Sequence, residues 1–343
     1  MTHFHLSSYS NCQHACFIKI KEVYLFEDKE IAEEMERQYI LVDDPKIQTD
    51  DILQFLCDHE VSARSYNKYD LMSAPISENE VSSTFVTGSS TSGPDNISCT
   101  LIDMANRNLM QKCLLFLWNL AWSRGYFFKD WKLEDRCVIP KPGRDDYHVC
   151  SSYRTISITS CIGKRFERIA SQRLVAVLAD LNFDPLQFAY LKNRSTTQAL
   201  LVVTEKVKQA LIAGKKAGVV FFDFTDAFGR VDRKCLLYKI AKDFGITGKL
   251  FLRVASFLTD RFARVKVNGI YGEWLESLFG TLAGTNLGPL LFIMYLHDTP
   301  KRIFPKFADD LISIAVHSDV QLFTVTLIPA RSADYRGVAI CSR

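Results

Sequence analysis

Two aspartate patterns stand out because each lies beside an apolar run. Asp223 directly follows the run Val219–Phe222, and the adjacent pair Asp309 and Asp310 directly precedes the apolar segment Leu311–Val316. The first pattern predicts a short buried strand that ends at a carboxylate. The second predicts a tight hairpin with carboxylates at its tip, although an Asp-Asp pair is more commonly an ordinary surface turn.

These carboxylates would do chemistry together if the hairpin lay beside the Asp223 strand. Converging like charges require cations, and hard carboxylate oxygens select Mg²⁺ or Mn²⁺. Two such ions held roughly 4 Å apart activate an attacking 3′-hydroxyl and stabilise a leaving pyrophosphate. The pattern therefore favours a two-metal nucleotidyl transfer site.

The elements that would position this site are a mixture of helices and strands. Apolar spacing of three and four residues predicts a helix over 166–181, and Ser195 provides an N-cap for a second helix that reaches about Ile212. Further helices are predicted at 109–122, 231–242 and 249–258, and strands at 218–222 and 264–268. This mixture predicts an α+β fold with an antiparallel sheet.

Net charge alone says little, because the chain of 343 residues carries a formal charge of only +3. Residues 131–194 are more basic than the rest, with eleven Lys and Arg against seven Asp and Glu. Such a stretch fits a nucleic-acid partner, and it fits a solvated helix face equally well.

The other compositional signals point to an intracellular protein, cytoplasmic or nuclear. The ten cysteines contain no CxxC pair, and no signal peptide is evident. Near the N-terminus the sequence has several residues of types that bind metals: His3, His5, Cys12, His14 and Cys16. Their spacing lacks the second matched pair of ligands that is typical of a zinc site. The uncharged window Ser277–Leu296 has the length of a membrane span, but its glycines and proline argue against one.

Ordered motifs resemble the reverse transcriptases of non-LTR (LINE-type) retrotransposons, most closely the jockey group. The blocks that carry this resemblance occur in the family's order: Gly93–Ile97, Val138–Gly143, Ser152–Ser157, Gly163–Arg168, Gln187–Thr197, Phe222–Phe228, Gly284–Leu290 and Phe307–Asp310. The resemblance implies the fingers and palm of a right-hand polymerase, with an antiparallel palm sheet packed on helices and the thumb missing. It also implies an RNA template, a DNA primer, deoxynucleoside triphosphates and two Mg²⁺ or Mn²⁺ ions, with no membrane and no inferable stable protein partner.

The resemblance further assigns roles to individual residues. Asp223, Asp309 and Asp310 would be the catalytic metal ligands, with the carbonyl of Phe224 helping to hold the nucleotide's metal. Four residues would contact the incoming nucleotide: Lys141, Arg154, Phe228 and Gly284. Phe228 would block a ribose 2′-hydroxyl, while Lys141 and Arg154 would reach the triphosphate.

Lys192 and Arg194 are expected at the template backbone.

The implied domains are an N-terminal extension over residues 1–85, partly disordered or helical, a fingers–palm domain over 86–316 and a divergent C-terminal tail over 317–343.

Three positions depart from the family pattern. Ala283 stands where motif B, the glycine-rich loop around residues 280–290, usually has glutamine. Gly229 replaces an aspartate, and Val254 replaces a common tryptophan. The sequence therefore leaves two functions open: an RNA-directed DNA polymerase, and a catalytically inactive retroelement remnant that still binds RNA.

Overall fold

The computed structural model describes residues 18–20, 23–25, 27–40, 74–85, 91–181, 183–224, 226–299, 303–317 and 334–341. The N-terminal histidines and cysteines considered above as metal ligands lie outside these residues.

The described chain alternates between helical segments and two main sheets. The helices are α1 Asp28–Tyr39, α2 Glu78–Ser83, α3 Cys99–Met104, α4 Arg107–Arg124, α5 Cys161–Asp180, α6 Thr196–Ile212, α7 Arg233–Lys242, α8 Gly248–Leu258 and α9 Gly288–Tyr295. The strands are β1 Ile18–Ile20, β2 Val23–Leu25, β3 Leu133–Pro140, β4 Tyr153–Thr159, β5 Lys216–Asp223, β6 Phe262–Val267, β7 Ile270–Tyr271, β8 Leu275–Glu276, β9 Ile303–Phe307, β10 Asp310–His317 and β11 Asp334–Cys341. Short 3-10 turns at Lys129–Lys132 and Cys150–Ser152 lead into β3 and β4.

The first sheet has the order β4-β3-β6-β7, with β8 also paired to β6. β3 runs antiparallel to β4 and parallel to β6. Alternation along β6 directs Ala263, Val265 and Val267 to one face, where they pack against Ile31 and Met35 of α1. The N-terminal helix therefore covers one face of this sheet.

The second sheet has the order β11-β5-β10-β9, and all of its pairs are antiparallel. β5 is the expected apolar strand, and all of its residues from Ala217 to Val220 are buried. α6 packs on this sheet and contacts β5, β9 and β10. Its N-terminus is fixed by a capping box, in which Ser195 and Gln198 each accept the other's backbone N–H.

The largest core lies among α4, α5, α7, α8 and α9. Phe166 of α5, only 2% exposed, is central to it. Its ring lies 5.5–6.2 Å, centroid to centroid, from four aromatic neighbours: Trp118, Trp122, Phe127 and Trp131. The aromatic residues that precede β3 are thereby attached to the helix that follows β4.

The α+β class expected from the sequence is confirmed. The predicted helices at 166–181 and 195–212 correspond to α5 and α6, and the predicted strands at 218–222 and 264–268 correspond to β5 and β6. The window 277–296 is divided between irregular chain and the eight-residue helix α9, and no helix among the described residues is long and apolar enough to cross a membrane.

The close packing of Phe166 leads us to predict the effect of its removal on stability. Phe166→Ala removes a ring from a closely packed core, so we expect the free energy of unfolding to fall by about 3–5 kcal/mol. Phe116→Ala on α4 is the matched control, because that ring is 73% exposed and its loss should change stability by less than about 0.5 kcal/mol. Urea unfolding measures both, and equal effects would contradict this description of the core.

Candidate active site

Strand register brings the aspartates to one end of the second sheet. Leu311 of β10 lies opposite Phe222 of β5, so the next step along the antiparallel pair places Asp310 beside Asp223. Positions directly opposite each other in such a pair have side chains on the same face. On the other side of β5, Asp334 of β11 occupies the register position opposite Asp223.

The predicted hairpin is also present. Phe307 pairs with Asp310, which leaves Ala308 and Asp309 as the two-residue turn between β9 and β10. Ala308 has a φ of +55° and is 4% exposed, whereas Asp309 is half-buried and Asp310 is exposed. A positive φ is uncommon for alanine, so neighbouring contacts must hold this turn in place.

The donor set suits a hard divalent cation, since it consists of carboxylate oxygens on adjacent strand ends. Among the described residues, no three or more His, Cys, Asp or Glu side chains are grouped so that they could hold a metal ion. Strand register thus brings Asp223, Asp309 and Asp310 close together along the backbone. Their side chains are not grouped tightly enough to form a complete metal site. Phe224, whose carbonyl is the fourth expected ligand, follows Asp223 and is half-buried.

Phe228 lies in an aromatic row beside this hairpin. Its ring stacks on buried Phe292 of α9, with 4.4 Å between centroids, and meets the ring of Tyr190 edge-on at 6.4 Å. Burial raises the pKa of the Tyr190 hydroxyl, and the nearby charge of Asp309 raises it further. Tyr190 is thus a residue of this site that sequence reasoning missed, although it lies within the Gln187–Thr197 block.

The motif B loop joins the first sheet to the segment that follows β5. The Ser157 N–H of β4 donates to the Ala283 carbonyl at 2.9 Å, and the Thr281 N–H donates to the Phe228 carbonyl at 2.9 Å. Gly284 has a φ of +100°, and a Cβ there would lie 2.8 Å from the Ile156 side chain. Glycine at 284 therefore permits the close approach of this loop to β4.

A buried arginine fixes the other end of the same loop. The guanidinium of Arg233 donates to the carbonyls of Phe279 at 2.7 Å, Gly280 at 2.8 Å and Leu258 at 2.9 Å. Burial lowers the pKa of Arg233 to about 9. Each of these buried carbonyls gains a charged donor, which is a stronger partner than a neutral one.

Glu167 of α5 holds the loop where it enters α9. Its carboxylate is fully buried and accepts a hydrogen bond from the backbone N–H of Asn286 at 3.1 Å. Burial raises its pKa to about 7, even though the positive charge of Arg261 acts in the opposite direction. The motif B loop therefore depends on a carboxyl group that titrates near neutral pH.

The expected triphosphate contacts lie on the first sheet. Arg154 is exposed on β4, and Lys141 follows β3, where its Nζ donates to the Ser151 carbonyl at 2.9 Å. Burial raises the pKa of the Asp226 carboxyl, and the charge of Lys141 is among those that oppose this effect. Lys141 thus lies close enough to Asp226 to act on the segment after β5.

Asp226 also gives a physical reason for one departure from the family pattern. A Cβ at Gly229 would lie 2.2 Å from Oδ2 of Asp226. The space that an aspartate side chain at 229 would enter is filled by the carboxylate three residues earlier. Val254, another of the three departures, is buried and lines a small cavity together with Glu167, Leu174 and Leu287.

The two expected template contacts differ in their surroundings. Lys192 is exposed. The guanidinium of Arg194 instead donates to the carbonyls of Phe183, Asp184 and Gln187, which holds it within its own loop. This placement differs from the phosphate contact expected from the sequence.

Several cations counted in the basic stretch are not on the surface. Lys132, Arg136 and Arg165 are each at most 6% exposed. Arg136 pairs with Glu134 at 2.8 Å, and Arg165 pairs with Asp103 at 2.6 Å. The expectation of a local basic surface is therefore only partly met, because a charge count cannot separate buried pairs from solvated cations.

Comparison with known proteins identifies the family. Residues 139–332, more than half of the chain, match the family described as "Reverse transcriptase (RNA-dependent DNA polymerase)". The chain belongs to this family, as the ordered motifs predicted.

Three curated relatives come from Drosophila melanogaster. The chain is 31% identical to the "RNA-directed DNA polymerase from mobile element jockey" over 60% of its length and 22% of that protein. It is 28% identical to the probable RNA-directed DNA polymerases of transposon BS and transposon X-element, over 64% and 71% of its own length. The chain spans about a quarter of the length of these two relatives, 25% and 27% respectively. These relatives confirm the resemblance to non-LTR elements of the jockey type that the ordered motifs indicated.

Because the pKa of Glu167 is raised, we predict that the stability of the fold depends on pH. The folded-state pKa of about 7 lies above the ordinary 4.5, so the folded protein holds this proton more tightly than the unfolded chain. The stabilising contribution is complete below about pH 4.5 and is lost as the pH rises through 7. We expect this group to lower the free energy of unfolding on the order of 3 kcal/mol between pH 5 and pH 8.

Glu167→Gln keeps an oxygen that can accept from Asn286 but removes the titration, so its stability should change less with pH than that of the wild type. Glu205→Gln, at an exposed position of α6, is the control and should leave the pH profile unchanged. Denaturant unfolding at several pH values measures the difference, and identical wild-type and Glu167→Gln profiles would refute the assignment.

Proposed function

We propose that this chain is the catalytic part of an RNA-directed DNA polymerase, and that it transfers nucleotides from deoxynucleoside triphosphates to a primer 3′-hydroxyl. The observation that carries the proposal is the register of β5 and β10, which places Asp310 beside Asp223 with Asp309 in the adjoining turn. Membership of the reverse transcriptase family supports the same reaction.

In this proposal Asp223, Asp309 and Asp310 hold two Mg²⁺ or Mn²⁺ ions, with the Phe224 carbonyl as an additional ligand. The chemistry that such ions supply when bound is activation of the 3′-hydroxyl and neutralisation of charge on the leaving pyrophosphate. The side chains of the protein add little covalent chemistry. Their contribution is to position the reactants and to provide fixed charge.

The nucleotide lies between the first sheet and the aspartates. Lys141 and Arg154 supply fixed positive charge for the triphosphate, as a point charge and a planar fork of donors respectively. Phe228 forms the wall of the site that faces the sugar of the nucleotide. Its ring is held in place because it stacks on Phe292 and meets Tyr190 edge-on. A rigid ring at this place excludes a 2′-hydroxyl and so selects deoxynucleotides.

The glycine-rich loop forms the remaining wall. Gly284 lets the backbone lie against β4, and Lys192 is an exposed cation for the phosphates of an RNA template. Ala283 has no amide side chain, so its contribution to the loop is the carbonyl that accepts from Ser157.

Primer extension on an RNA template with Mg²⁺ or Mn²⁺ tests the proposal. We expect extension by the wild-type chain and a loss of roughly 100-fold or more for Asp309→Asn, because a metal ligand is worth several kcal/mol in the transition state. Asp130→Asn, an exposed aspartate in the turn before β3, should retain activity. Salt-sensitive RNA binding with no extension in either metal would overturn the proposal in favour of an inactive remnant.

A second prediction concerns the choice of sugar. Phe228→Val removes the ring and should lower the ratio of kcat/KM for deoxynucleotides over ribonucleotides by about tenfold, or about 1.4 kcal/mol of discrimination. Phe228→Tyr retains the ring and should keep the wild-type ratio. Single-nucleotide incorporation kinetics supply the numbers, and unchanged selectivity in the valine variant would count against this role.

A further inference from the structure

We infer that the loop 183–194 is a brace for the catalytic hairpin, and that the buried side chain of Gln187 positions Asp309 through the backbone of Ala308. This inference rests on the proposed function for its consequence, since it concerns how the metal-binding turn is held. It extends the site to a residue that makes no contact with a substrate.

The central contact is a hydrogen bond to the turn itself. The Ala308 N–H donates to Oε1 of Gln187 at 3.3 Å, and the Ala189 N–H donates to the same oxygen at 3.0 Å. Gln187 is 1% exposed and Ala308 is 4% exposed. A buried backbone N–H without a partner is costly, and within a two-residue turn the ladder does not provide one.

The backbone of the brace is paired to the strand that leads into the turn. The Phe188 N–H donates to the Lys306 carbonyl at 2.8 Å, and the Lys306 N–H donates to the Leu186 carbonyl at 2.9 Å. Residues 186–188 therefore extend the second sheet beyond β9. The hairpin is held on this side by main-chain bonds as well as by the glutamine.

Charged groups lock the brace in place. Lys306 is 3% exposed, and its Nζ lies 2.9 Å from Oδ2 of Asp184. The guanidinium of Arg194 binds three carbonyls of the same loop, including that of Gln187. Arg194 is thus a positioning residue, which gives the Gln187–Thr197 block a role different from the template contact expected at this position.

The brace also determines where Tyr190 lies. Tyr190 has a φ of +60°, and this conformation brings its ring to both Phe228 and the neighbourhood of Asp309. One loop therefore contacts the turn that carries Asp309 and the ring that faces the sugar. A change at Gln187 should disturb metal binding before it disturbs the rest of the fold.

The first test is hydrogen–deuterium exchange of the metal-free full chain, followed in peptides that cover residues 303–312. Gln187→Met is similar in length but lacks the carbonyl oxygen that accepts from Ala308, so exchange in these peptides should become faster by about tenfold. Leu174→Ala in the helical core is the control for general loss of stability. Hairpin exchange that is unchanged by Gln187→Met, or matched by Leu174→Ala, would overturn the inference.

The second test is Mn²⁺ binding, measured by electron paramagnetic resonance of the free ion. Residues that orient metal ligands typically change metal affinity by about 10- to 100-fold, and we expect a rise of that size in the dissociation constant for Gln187→Met. Asp309→Asn should abolish the same binding. If Gln187→Met bound Mn²⁺ with wild-type affinity, the inference would be overturned. If Mn²⁺ binding were unchanged in Asp309→Asn, the proposed metal site would be wrong. The exchange experiment alone would then test whether the loop 183–194 holds the hairpin.

Discussion

The pairing of β5 with β10 is the constraint on which the candidate site depends. Side chains alternate along a strand, so a slip of one residue would turn Asp310 to the opposite face of the sheet from Asp223. Buried Val220, Phe222 and Leu311 oppose such a slip, because it would expose their apolar side chains. The same apolar residues that build the sheet therefore fix which carboxylates meet at its end.

Around that pair of strands, separate elements hold separate parts of the site. The motif B loop is tied to the first sheet by Ser157, to the segment after β5 by Phe228 and to buried Arg233. The hairpin is held from the other side by Gln187. One of these supports, Arg233, is a buried charged group whose hydrogen bonds to backbone carbonyls hold the start of the loop in place. The fold thus gives rigid backbone positions to side chains that remain half-buried or exposed.

Much of this could be predicted from the sequence, and the rest depends on contacts between distant residues. The run before Asp223 and the apolar flank after Asp310 are local signals, so β5 and the hairpin were predictable. The burial of Arg136 and the use of Arg194 within its own loop were not, because the same residue types serve on surfaces and in buried networks. Tyr190 and Gln187 lay inside a recognised block, but only the three-dimensional structure relates them to Phe228 and Ala308.

The proposed metal centre consists of Asp223, Asp309 and Asp310 at the end of the β5–β10 pair. Crystals of the chain grown with Mn²⁺, primer–template and a deoxynucleotide would test it through anomalous diffraction at the manganese edge. We expect anomalous peaks within about 2.0–2.6 Å of oxygens from Asp223 and Asp309, with Asp310 beside them. Manganese bound elsewhere, or a β10 register in which Asp310 lies away from Asp223, would contradict it.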